Sequence, residues 1–93
     1  MKQDLNMRLD KVANLFSDIC EVEDFKGLLQ DLMTPQEIVE LGERMQIISH
    51  LKEGMTQRKV AETMGISVTT VNRGARVLKF GTGMVDKHIK SAA

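Results

Sequence analysis

Between residues 56 and 79 two short helical segments follow each other closely, each opened by its own hydroxyl residue. Thr56 can cap the first, which runs to Met64 and stops at Gly65; Ser67 can cap the second, which runs from Val68 to about residue 79. A hydroxyl just before a helix accepts a bond from an otherwise orphaned N–H, and a glycine just after it takes the positive φ that ends it. Two helices joined so tightly must cross at a steep angle, which requires a small residue where they meet and apolar residues in the angle. Ala61 is small, Gly65 lies four residues on, and Val60, Met64, Ile66 and Val71 stand where the angle must be filled. Residues 57–77 therefore read as a helix-turn-helix. The outward face of its second helix carries Thr69, Asn72, Arg73 and Arg76, short polar groups and forked cations suited to bases and phosphates. Ala-x3-Gly alone would also fit an ordinary helical hairpin; the caps, the spacing and the basic face together point to DNA.

The remaining chain has the same helical period. Leu5, Leu9, Val12, Phe16 and Ile19 form one stripe, which predicts a helix over 2–22. A second over 23–32 turns Phe25, Leu28, Leu29 and Leu32 inward. Thr34, Pro35 and Glu37 form a capping box that starts a third helix, which should reach residue 52 or 53 and end at Gly54. After a break at Gly81-Thr82-Gly83, residues 84–90 can form a short last helix. Nothing alternates as a strand does, so the fold class is all-α, with five to six helices. The chain reads as one helical domain over 1–93. Residues 1–54 supply the dimerisation and core helices, 55–80 the DNA-reading unit, and 81–93 a short C-terminal segment.

Ninety-three residues bury a small core, and Cys20 has no disulfide partner, so oligomerisation is the available staple. Seven Met and 42% apolar residues, with three Phe and neither Trp nor Tyr, suit a helical interface. No apolar run approaches the roughly 18 residues of a membrane span, so a cytoplasmic protein without a membrane partner is expected. The net charge of zero hides an asymmetry: residues 1–51 hold five basic and ten acidic side chains, residues 52–93 eight basic and three acidic. Basic clusters neutralise phosphates. Cys20, His50 and His88 form no metal-ligand cluster, and no nucleophile–base set is visible, so neither a metal, a covalent cofactor nor an enzyme is expected.

Two positions depart from a plain helix-turn-helix. Gly74 stands on the core side of the second helix, where a glycine costs about 1 kcal/mol relative to Ala. Either another helix or a ligand packs against the backbone there. In the third helix Leu41, Met45, Ile48 and Leu51 share a stripe, and Arg44 falls inside it. Arg44 either reaches outward or pairs with Glu40, or it borders a pocket with Arg73 whose floor is Gly74. Two guanidinium planes can sandwich a flat ring and hold a carboxylate.

Over residues 29–79 the chain resembles the Trp repressor family. The resemblance rests on Leu32-Met33-Thr34-Pro35-x-Glu37, Leu41-Gly42-x-Arg44, Glu53-Gly54-Met55-Thr56-Gln57-Arg58 and Val71-Asn72-Arg73-Gly74-x-x-x-Leu78-Lys79. It implies an intertwined homodimer that binds a double-stranded DNA operator as a transcriptional repressor, with L-tryptophan as corepressor. By position Arg44 and Arg73 would flank the indole, Arg73 would hold the carboxylate, and Gly74 would give the ring room. Thr34 and the Met33 carbonyl of the partner subunit would meet the ligand's polar end. Val77 stands where the family places a hydroxyl near the ligand's amino group. Arg58 would read a base directly; Gln57, Val68, Thr69, Thr70, Asn72 and Lys79 would contact bases, water or phosphates, beside the cationic Arg76. Two other readings are a relative with no ligand or a different one, and a module that assembles or tethers a larger machine.

Overall fold

The computed structural model describes residues 2–92, with side chains over 4–92, and holds no strand among them. Its helices are α1 (Lys2–Ser17), α2 (Val22–Leu32), α3 (Pro35–Lys52), α4 (Gln57–Met64), α5 (Val68–Phe80) and α6 (Met84–His88). The fold is all-α, as the periodicity predicts, with six helices. The chain divides into two compact units, 1–38 and 39–93.

In the first unit α1 stops at Ser17 instead of continuing to 22. The Ser17 hydroxyl donates to the Asn14 carbonyl at 2.9 Å. The Asp18 and Ile19 N–H groups donate to the Leu15 and Phe16 carbonyls at 3.3 and 3.2 Å, a tightened final turn. Glu21 is then extended (φ −91°, ψ 132°) and α2 starts at Val22. Phe16 and Phe25 hold the two helices together, ring centroids 5.0 Å apart. None of the unit's described side chains is buried. Leu5, Leu9 and Val12, the expected inward stripe of α1, are 65%, 60% and 47% exposed. Cys20, which would suit a core, is exposed too.

The capping box at the head of α3 is reciprocal. The Thr34 N–H donates to the Glu37 carboxylate at 2.8 Å, and the Thr34 hydroxyl accepts from the Glu37 N–H at 3.1 Å. At the other end Gly54 takes φ +103°, which lets the Met55 N–H return to the His50 carbonyl at 3.3 Å.

The second unit holds the core. Ile47, Ile48, Val60, Ala61 and Val71 are buried, and Leu51, Met55, Met64 and Ile66 pack against the cluster. This alters the expected stripe of α3. Leu41 and Met45 are exposed, and Ile47, outside that stripe, is 2% exposed. The inner face of α3 instead runs Glu40, Arg44, Ile47, Leu51, alternating steps of four and three residues. Its N-terminal half is charged and its C-terminal half apolar, and Arg44 is exposed. Gly74 meets another helix: a Cβ built on it would lie 2.7 Å from Ile47 Cγ2. The C-terminal segment folds back on the end of α3. Lys52 Nζ donates to the Asp86 carbonyl and, at 2.6 Å, to the Ile89 carbonyl, and the Ala92 N–H donates to the Ser49 carbonyl at 3.1 Å.

Replacing a helix-interior glycine by alanine ordinarily stabilises by about 1 kcal/mol. For Gly74→Ala the opposite sign is expected, a loss of about 1–2 kcal/mol in urea unfolding, because the added methyl meets a branched side chain that cannot swing away. Ile47→Ala removes that methyl group's obstacle, so the double variant should be more stable than the sum of the two single losses by at least about 0.5 kcal/mol. Additive losses would show that the close approach is not what requires glycine.

Candidate nucleic-acid interface and the cavity behind it

Hydroxyl caps and one left-handed glycine set the helix-turn-helix. Thr56 accepts from the Lys59 N–H at 3.1 Å, and Ser67 accepts from the Thr70 N–H at 3.1 Å. Gly65 is left-handed (φ 69°, ψ 36°), and both its N–H and that of Ile66 reach the Ala61 carbonyl. Val60 and Val71, one from each helix, are fully buried in the angle between them. Two rigid helices thus present their outer faces from one small core.

Gln57 and Arg58 are exposed in the first turn of α4; Val68, Thr69, Asn72, Arg73, Arg76 and Lys79 are exposed along α5. Thr70 stands apart from them. It is half-buried, and its hydroxyl lies 2.9 Å from that of Ser67. Neither helix has an acidic residue in its first turn, so the positive end of each dipole is left available to an anion. Phe80, which the sequence reading passed over, is 69% exposed at the end of α5. The Arg76 guanidinium and Lys79 Nζ lie 5.8 and 5.5 Å from its ring centroid. An aromatic face at that range attracts both cations and restrains them beside the helix. The spacing of Arg76 and Phe80, one helical turn, is the signal that could have found it.

Behind α5 lies a cavity of about 250 Å³, lined by Glu40, Glu43, Arg44 and Ile47 of α3 and by Thr70, Arg73 and Gly74 of α5. That is slightly below the roughly 300–1,000 Å³ of common ligand clefts. Arg44, Arg73 and Gly74 are brought together here, as the pocket alternative for Arg44 requires. Val77 is not among them; it lines an open groove with Arg73, Arg76, Phe80 and Gly81. Met33 and Thr34 belong to the other compact unit, where the Thr34 hydroxyl serves the capping box. Glu40 and Glu43 were missed as lining residues. They line the same cavity as Arg44, whereas the sequence pattern set Arg44 against an apolar stripe and offered Glu40 only as its pairing partner. Among the described residues no group of His, Cys, Asp or Glu is placed to hold a metal ion, and no helix is long and apolar enough to cross a membrane.

The family model for the Trp repressor protein matches residues 7–92, from α1 into the C-terminal segment. An uncharacterized protein of Bacillus subtilis, YerC, is 32% identical over 73 residues, 78% of this chain and 70% of its own length. A Trp operon repressor homolog of Vibrio cholerae is 33% identical over 70 residues, 74% of this chain and 68% of its own. One from Aliivibrio fischeri is 34% identical over 73 residues, 77% of this chain and 68% of its own. No solved structure matches the chain. The length of the family match and the coverage of these relatives give one conclusion: the chain belongs to the Trp repressor protein family, a family of DNA-binding regulators.

Proposed function

We propose that this protein is a dimeric, sequence-specific transcriptional repressor whose affinity for its operator is raised by L-tryptophan. The observation that carries this reading is the cavity between α3 and α5, bordered by Arg44, Arg73 and Gly74 directly behind the helix that faces the groove. A ring between two guanidinium planes gains cation–π attraction, and Arg73 can bind a carboxylate through both of its terminal nitrogens. A ligand seated there touches the rear of α5, so its binding energy can favour one position of α5 over others. The effect on DNA is limited to the ligand's difference in affinity for those positions. It requires no contact between ligand and base.

On the DNA side, Arg58, Asn72 and Thr69 are the candidates for base edges, with Gln57, Val68 and Thr70 near them. Arg76 and Lys79, held by Phe80, suit phosphates. Two copies would place their α5 helices in successive major grooves, about 34 Å apart. Support for a pair comes from the first unit, where α1 exposes Leu5, Leu9 and Val12 and the unit buries no described side chain. Full burial of such a side chain is worth about 1.5–3 kcal/mol, and a helical hairpin with no buried residue has little else to hold it. Leu41 and Met45 on α3 add further exposed apolar surface. One observation favours a ligand-independent relative instead: Ile47 already fills the space that makes Gly74 necessary.

Two measurements separate these readings. Operator binding followed by fluorescence anisotropy should tighten at least tenfold on saturation with L-tryptophan, and Arg73→Ala should bring that ratio close to one. An unchanged wild-type affinity would rule out the corepressor while leaving DNA binding intact. Sedimentation equilibrium at micromolar concentration should give twice the chain mass, and Leu9→Glu should shift the population to monomer. A wild-type monomer would contradict the dimer.

A further inference from the structure

Lys52 is the last residue of α3, and its side chain is largely covered, with 21% exposed. Its Nζ donates to the Asp86 carbonyl and, at 2.6 Å, to the Ile89 carbonyl, and it lies 3.5 Å from Asp86 Oδ1. An ammonium has three donors, and these three oxygens match them. The two carbonyls belong to α6 and its C-cap, at the end where a helix leaves acceptors unpaired and favours a cation. With five residues and none of them buried, α6 is too short to persist alone. Its place on α3 therefore depends on Lys52, helped by the Ala92 N–H, which donates to the Ser49 carbonyl at 3.1 Å.

The tail held in this way continues directly from α5. Gly81 turns the chain out of the helix: its N–H donates to the Val77 carbonyl at 2.9 Å, and a Cβ there would lie 2.5 Å from that oxygen. Gly83 then takes φ +92°, and the Lys87 N–H donates to its carbonyl at 3.1 Å. A connection this short and this bonded carries the position of the tail to α5. Along α5 only Val71 and Gly74 are buried, within one helical turn of each other, and nothing beyond Gly74 is. A helix held over so short a length can still tilt. The Lys52 clasp adds a second attachment past the C-terminal end of α5, roughly 7–8 Å along the α3 axis from Ile47. Two separated attachments oppose the tilt of a rigid helix. We propose that Lys52 is a positioning residue for DNA reading, which fixes the angle at which α5 meets the major groove without touching DNA. The assignment rests on DNA binding through the helix-turn-helix and is independent of the corepressor.

The test compares a duplex that the wild type selects from a random pool with mixed-sequence DNA, by anisotropy over a salt series, and adds amide exchange on the free protein. Lys52→Met keeps the stem and removes the ammonium. The Ile89 and Ala92 amides should then exchange at least tenfold faster. Affinity for the selected duplex should fall at least fivefold, while mixed-sequence affinity stays within twofold and the salt slope is unchanged. Ala92→Pro removes the tail's other bond to α3 and should reproduce this pattern more weakly, even if Lys52→Met folds poorly. A phosphate contact by Lys52 would instead lower both affinities and flatten the slope of log affinity against log salt by about 0.9, which overturns the assignment. So does a uniform loss on both DNAs at unchanged slope, the mark of a fold defect. A faster-exchanging tail with undiminished affinity for the selected duplex overturns it as well. A wild type that enriches no duplex overturns the DNA-reading function together with this assignment.

Discussion

The contact between Ile47 and the backbone of Gly74 fixes how α5 lies on α3. A side chain at position 74 would have to occupy the space of the Ile47 methyl group, 2.7 Å from where its Cβ would be. Interiors are close-packed, so this approach determines the geometry on both sides of it. Toward the C-terminal end of α3, Ile47 joins Val60, Ala61 and Val71 in the core that holds α4 and α5 at their angle. Toward its N-terminal end, the inner face of α3 turns charged, and the same close approach is bordered by the cavity of Glu40, Glu43, Arg44 and Arg73. One helix face thus serves as packing surface along half its length and as a charged wall along the other.

Electrostatics divides along the chain in a way that suits this arrangement. The helix-turn-helix has basic side chains on its outer face and no acid in the first turn of either helix. The acidic excess lies in residues 1–51, away in sequence from that face. A zero net charge therefore coexists with a cationic surface, and association with a polyanion depends on the local field rather than the total.

Much of this was legible in the sequence because caps and stops are local. Thr34 with Glu37, Thr56, Ser67, Gly54 and Gly65 each act within a few residues, and each does in the structure what its residue type predicts. Position 74 was legible as an anomaly, though its neighbour was not. The faces of α3 were misassigned for a physical reason. Leu41 and Met45 extend an apolar stripe that lies beside the core face, and periodicity cannot say which of two adjoining apolar edges packs against which element. The lining role of Glu40 and Glu43 was hidden likewise, since a carboxylate one turn from an arginine reads as a surface pair until a second helix is placed opposite. The end of α1 was missed because Ser17 and Asp18 stop it through local bonds that have no glycine or proline to announce them.

In the proposed function, a ligand filling the gap between α5 and α3 would act on DNA binding through the position of α5. The distance between the two helix-turn-helix units of a dimer reports on it directly. Spin labels at Glu62→Cys, on the exposed side of α4, in a Cys20→Ser background would give that distance by pulsed electron resonance. Saturating L-tryptophan should shift and narrow the distribution toward a spacing that fits successive major grooves, about 34 Å between half-site centres. Identical distributions with and without a ligand shown to be bound would contradict a recognition helix positioned from behind.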